Sequence, residues 1–184
     1  YGGTLPGRVP PLEVDRLIAA LGADTALVEY FSLDGTLLAF LVTSSGVEVF
    51  DDLGPENEVD GLVAGLRFQL GTLRHAGALV QRHAQQPPAP PNHSLARLYD
   101  AVLRPIERHL GERRLVIVPH RSLHYVPFHA LYDGRLHVVE RRSVSYTPSA
   151  AVLMHCLERP QAGLRRALLV GVADEQIPRV HDEV

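Results

Sequence analysis

The sequence predicts an α/β fold: an antiparallel β-meander plus helices leading into a partly parallel sheet flanked by helices, truncated at the C-terminus. Three observations support this. Asp34-Gly35 separates two apolar, β-rich runs, "ALVEYFSL" and "TLLAFLVTSS", and a two-residue hairpin turn requires positive φ at both positions. Two later runs, Leu115–Val118 and "ALLVGV" (167–172), are continuously apolar rather than alternating, as strands buried on both faces are. A helical stretch lies between them, and strand–helix–strand at these lengths forms a right-handed parallel crossover.

The elements follow in order. Residues 1–10 read as a linker from an upstream region. In "PLEVDRLIAAL" (11–21), Leu12, Leu17, Ile18 and Leu21 recur near helical spacing, with Pro11 suited to a helix start. The hairpin strands come next, Gly46 breaks the second, and "VEVFDDL" forms a third. Over residues 56–86, Val59, Leu62, Val63, Leu66, Leu70 and Leu73 repeat every three or four positions, an amphipathic stripe. Its glycines each weaken a helix by roughly 1 kcal/mol relative to alanine, and permit either close packing or a break near 71–77. "QQPPAPPN" (85–92) is a proline-rich linker or exposed loop. These boundaries divide the chain into residues 11–84, the linker at 85–92 and an incomplete core over 93–184.

Ser94 is a candidate cap for "LARLYDAVLRPIERHL", whose buried stripe is Leu95, Leu98, Val102, Ile106 and Leu110. Pro105 divides or kinks this helix and Gly111 ends it. After the strand at Leu115–Val118, "YDG" starts a hairpin into "RLHVVE", read as a strand, and "SVSYTP" is a further strand. Thr147 is a candidate cap with Pro148 at the first position of the helix behind it.

Bulk properties narrow the function classes. The chain has 184 residues, 46% hydrophobic and 21% charged, with net charge −3. That composition buries a core and supplies no concentrated basic face for nucleic acid or a membrane surface. No apolar run reaches the length of a membrane span. Cys156 is the one cysteine, so internal disulfides are excluded and a reducing, cytoplasmic setting is expected.

The densest chemistry is "VPHRSLHYVPFHAL" (118–131), with His120, His124 and His129. His120 and His124 have H-x-x-x-H spacing, but Arg121 stands where a zincin needs glutamate, and Pro119 and Pro127 oppose a sustained helix. Ser122 lacks the flanking glycines of a nucleophile elbow. Cys156 adjoins His155, yet neighbours on a helix point about 100° apart, so a buried spacer cysteine is the expectation. No phosphate-loop pattern occurs, and "GVADEQ" after Gly171 adds acids where phosphates would sit. The remaining histidines (75, 83, 93, 109, 137, 155 and 181) are scattered surface or core residues. No catalytic, cofactor-binding or metal residue is therefore assigned, and no cofactor is expected. A structural role remains for the stretch: Leu123, Val126, Phe128 and Leu131 plug into the core, while Tyr125 and the histidines cover the turn and bond its carbonyls.

"LVIVPHRSLHYVPFHALYDGRLHVVERRSVSYTPSAAVL" (115–153) resembles the amino-terminal half of the CHAT domain, a caspase-like domain often found behind tetratricopeptide repeats. "DTALVEYFSLDGTLLAFLVTSSGVEVF" (24–50) is similar to the stretch that opens that domain. Arg121 stands where glycine is more usual. The resemblance implies a caspase- and separase-like α/β sheet and, in active members, a cysteine peptidase with a histidine and a cysteine each following a later strand. The "A-T-H-G"-like and "S-A-C-x-T"-like motifs that hold them do not occur here, so that dyad is expected beyond Val184. It also implies protein or peptide substrates or partners and upstream helical repeats in the parent chain. The alternative is a catalytically inactive interaction or scaffold module, with "QQPPAPPN" as a docking strip.

Overall fold

The structure is a computed structural model that describes residues 12–83 and 92–158, with the backbone alone over 72–83. Its elements are α1 (Val14–Leu21), β1 (Thr25–Leu33), β2 (Thr36–Thr43), β3 (Gly46–Phe50), α2 (Glu56–His83), α3 (Asn92–Val102), α4 (Glu107–Leu110), β4 (Arg114–Val118), α5 (Val138–Arg141), β5 (Val144–Tyr146) and α6 (Ala150–Glu158). Two 3-10 turns, Arg121–Tyr125 and Phe128–Ala130, follow β4. The strands form one sheet in the order β3-β2-β1-β4-β5. β1–β2 and β2–β3 are antiparallel; β1–β4 and β4–β5 are parallel. This is the mixed α/β sheet that the hairpin signal and the continuous run at Leu115–Val118 predict.

Local chemistry explains the strand order. Asp34 and Gly35 take φ of 50° and 80°, the left-handed pair that a tight hairpin needs. β4 cannot reach β1 by a hairpin because the two run parallel, so α2, α3 and α4 intervene as the crossover. α2 runs unbroken through Gly71 and Gly77; its buried stripe is Val59, Val63 and Leu66, while Leu70 is exposed. Leu62 is partly buried against the same cluster, so Leu70 is the departure from the predicted stripe, and the Leu73 side chain lies outside what is described.

The core lies on both faces of the sheet. On one, Ala26, Val28, Tyr30, Leu115 and Ile117 pack against α2, α3 and α4. On the other, Leu27, Val42, Val116 and Val118 pack under α1 and α6 through Leu17, Leu21 and Ala150. All five stripe residues expected of the α3–α4 region are buried, and Pro105 divides it into two helices as its missing N–H requires. The division leaves the Val102 carbonyl without its helical donor, since the Ile106 N–H turns to Leu103 O at 3.1 Å. The Tyr30 hydroxyl donates to Val102 O instead, at 2.8 Å, in a fully buried setting. Burial pushes the Tyr30 phenol well above its ordinary range.

Four local expectations are corrected. "RLHVVE" is not a strand: only the Tyr132–His137 bridge of the expected hairpin forms, and the chain then coils into α5. Side chains have taken the backbone donors a ladder needs. Asp133 Oδ1 accepts the N–H groups of Arg135 (2.6 Å) and Leu136 (2.7 Å), and Glu140 accepts that of His137 (2.7 Å). Ser94 lies inside α3, which begins at Asn92. Ser149, not Thr147, caps α6, its Oγ accepting the Val152 N–H at 3.2 Å; Thr147 instead donates its hydroxyl to Ser149 O. Cys156 is exposed, not buried, because it falls in the last turn of α6, away from the buried Ala150 end. Pro11, the 85–91 linker and the run at 167–172 lie outside the described residues.

Tyr30→Phe removes the only hydroxyl reaching Val102 O among the described residues, leaving a buried carbonyl unpaired. The expected loss is about 1–3 kcal/mol in urea unfolding; a loss under about 0.5 kcal/mol, within the range of ordinary surface substitutions, would show that the bond contributes nothing.

Candidate functional site

β1, β4 and β5 are parallel, so their carboxyl ends open on one edge of the sheet, where open α/β sheets place their sites. Leu33, Val118 and Tyr146 end the three strands there. The stretch 119–131 folds over this edge. Leu123, Val126, Phe128 and Leu131 are all buried, as their spacing predicts, and they anchor the polar residues between them.

The most constrained polar group at this edge is Glu56. The Glu56 N–H donates to Gly35 O at 2.8 Å, which ties the start of α2 to the β1–β2 turn and brings its carboxylate beneath β1. The Ser32 hydroxyl donates to Glu56 Oε2 at 2.7 Å, and Arg121 Nη1 donates to both carboxylate oxygens at 2.9 and 3.0 Å. The Glu56 side chain is 15% exposed and that of Arg121 66%. The Ser32 hydrogen bond, opposed by burial and reinforced by Arg121, holds the Glu56 carboxyl below its ordinary range.

Arg121 has φ of 46°, a left-handed conformation costly for a side chain with a Cβ. Glycine is the natural residue there, as the resemblance read from the sequence leads one to expect. Arg121 offsets that cost with its bond to Glu56.

The histidines separate by role. His120 stacks on Phe31 with ring centroids 5.0 Å apart. The His129 Nδ1 lies 3.3 Å from the Tyr146 hydroxyl, which also accepts the Phe128 N–H at 2.8 Å. In a 3-10 turn the offset between positions i and i+4 is about 120°, so His120 and His124 do not share a face as H-x-x-x-H on an α-helix would. Tyr125 is exposed and lies under Arg67, 4.1 Å from guanidinium carbon to ring centroid. The expected carbonyl bond is made by another histidine: His137 Nδ1 lies 2.8 Å from Ala130 O. Among the described residues no group of three or more His, Cys, Asp or Glu gathers around a metal position.

Sequence reasoning missed Glu56, Ser32, Phe31 and Tyr146. Glu56 follows Pro55, a usable helix-start signal; the others meet 119–131 only through the sheet register, which no local pattern encodes.

Residues 92–184, just over half of the chain, match the family model for the CHAT domain. The chain belongs to the CHAT domain family. Comparison with curated proteins and with solved structures gives no match. The matched part of this CHAT domain includes β4, β5 and the whole stretch 119–131. β4 is hydrogen-bonded to β1, and Glu56, which holds Arg121, also precedes the matched residues. The edge is thus assembled from both sides of residue 92. No helix among the described residues is long and apolar enough to cross a membrane.

Two outcomes test the edge. Arg121→Gly and Arg121→Ala both lose the bond to Glu56, but only glycine relieves the positive φ, so the glycine variant is expected to be more stable by about 1–2 kcal/mol; equal stabilities would remove the strain. Glu56 has a depressed carboxyl in the folded state, so its contribution is complete above the ordinary glutamate value of 4.5 and is lost as pH falls through the lower folded value. Glu56→Gln is therefore expected to destabilise at pH 7, with a gap that narrows in acid. A gap that is constant from pH 7 to pH 3 would contradict the ionised clamp.

Proposed function

We propose that this chain is the non-catalytic front portion of a CHAT domain that, in its complete form, is a caspase-like cysteine peptidase. The observation that supports it is the CHAT match over residues 92–184, joined to an edge of parallel strand ends that is well anchored. Among the described residues that edge offers imidazoles but no thiol: Cys156 lies in the last turn of α6, beside His155. In a thiol peptidase, an imidazole takes the thiol proton, the thiolate attacks the peptide carbonyl, and backbone N–H groups stabilise the oxyanion. The role of this portion is to hold the edge to which those groups are added. Its proposed setting is the cytoplasm, where a lone exposed thiol stays reduced, with upstream helical repeats in the same parent chain and protein or peptide substrates.

The test is the parent protein. Its sequence through roughly the next hundred residues, a domain-size span, is expected to place a His-Gly and then a cysteine after apolar strands. Purified parent protein is expected to cleave peptides in a thiol-dependent way that Cys156→Ala leaves intact, while residues 1–184 alone cleave nothing. A parent without the histidine and cysteine, which would favour an inactive scaffold module, overturns the proposal. So does cleavage by residues 1–184 that Cys156→Ala abolishes.

A further inference from the structure

The face of the sheet that carries α1 is covered over only part of its width. Leu27 and Val42 lie under α1, and strand alternation puts Phe31, Leu33 and Phe40 on that same face. The register sets Val47 opposite Val42 and Val49 opposite Phe40. Beyond α1, Phe31, Leu33, Val47 and Val49 are between 41% and 58% exposed, a contiguous apolar surface of the kind that marks a contact.

This surface is rimmed by acid. From Leu12 to Leu66 the sequence carries eleven acidic residues and one arginine, Arg16. Asp34 follows Leu33 in the β1–β2 turn, and Asp51 and Asp52 follow β3. β2 runs antiparallel to both of its neighbours, so these three acids lie at one end of the open surface. Glu29 lies on the face itself, opposite Phe40 on one side and Val118 on the other, and burial raises its carboxyl above its ordinary range. Ion pairs take up Glu13, Asp24, Glu48 and Glu56. No cation among the described residues pairs with Glu29, Asp34, Asp51 or Asp52.

Dimensions and charge select the occupant. From β1 to β3 is two strand spacings, about 9.6 Å, close to the width of one α-helix with its side chains. Val47 is level with Leu27 through Val42, and the step from Leu27 to Leu33 covers about 20 Å of strand, or about thirteen residues of helix. A helix there lies beside α1 in one layer, the arrangement in which an α/β sheet buries a face. A partner strand would pair along β3 and leave Phe31 and Leu33 uncovered. A second copy related by a two-fold axis would set the same acids against one another.

We propose that the open half of this face is a docking site for an amphipathic α-helix of a partner protein. Its apolar stripe covers Phe31, Leu33, Val47 and Val49, and its flanking arginines or lysines meet Asp34, Asp51 and Asp52.

The experiment titrates the whole chain with three labelled synthetic peptides of that length. One has a leucine stripe at helical spacing flanked by arginine, the second has the same stripe flanked by glutamate, and the third has the composition of the first with its leucines scattered. The first is expected to bind about tenfold or more tightly than either of the others, to shift the methyl signals of Leu33, Val47 and Val49, and to gain helical circular dichroism, since so short a helix is marginal when free. Val47→Ser with Val49→Ser, at exposed positions, is expected to lose that binding. Asp51→Asn with Asp52→Asn is expected to narrow the gap between the arginine and glutamate peptides. Equal affinity for the first peptide and either control would overturn the proposal. So would binding that the valine variants leave unchanged, or a bound peptide that gains no helix. Self-association of the chain that the valine variants abolish would overturn it by giving the face to a second copy. Binding that appears only after residues 1–11 are removed would do so by giving the face to the chain itself.

Discussion

The parallel ladder between β1 and β4 is the constraint on which the rest of this CHAT domain depends. It pairs Thr25 with Arg114 through to Glu29 with Val118, and joins the meander to the strand that delivers the stretch 119–131. Parallel pairing cannot be made by a tight turn, so the chain between them must form a crossover. Here that crossover is all helix, and its three helices share one face of the sheet through Val63, Leu98 and Leu110. The ladder and the helical layer therefore form together, since the strands hold the apolar surface that the helices bury.

Bonds of long sequence separation then fix the edge. Tyr30 reaches across to Val102 because Pro105 stops the helix from satisfying its own carbonyl. Glu56 gathers Ser32 and Arg121 because the β1–β2 turn holds the start of α2 in place. Each is local in space and distant in sequence, and each depends on the ladder for its geometry. The result is an edge on which His120, His129 and Tyr146 have fixed neighbours.

Much of this was legible in the residues. Asp34-Gly35 specified its turn because few dipeptides accept two left-handed conformations. Leu115–Val118 announced its two-sided burial because no polar residue interrupts it. Leu123, Val126, Phe128 and Leu131 marked their own anchoring by type and spacing. The failures share a cause. "RLHVVE" has strand-like residues, yet Asp133 and Glu140 claim its backbone donors, and propensity does not register that competition. Thr147 and Ser149 are both good caps, and only the geometry after β5 chooses between them. Cys156 and Leu70 resemble core residues, but which side of a helix finds a partner is decided by the tertiary arrangement. Glu56 was invisible as a site residue for the same reason.

The most direct test of this account is native-state hydrogen exchange on the β1 and β4 amides. If the meander and the CHAT core are one cooperative unit, amides of Leu27, Val28, Val116 and Ile117 exchange through the same opening, with the same dependence on denaturant. Exchange of the β1 and β2 amides through a separate, smaller opening while β4 stays protected would contradict it, and would make the meander an appendage rather than part of the platform.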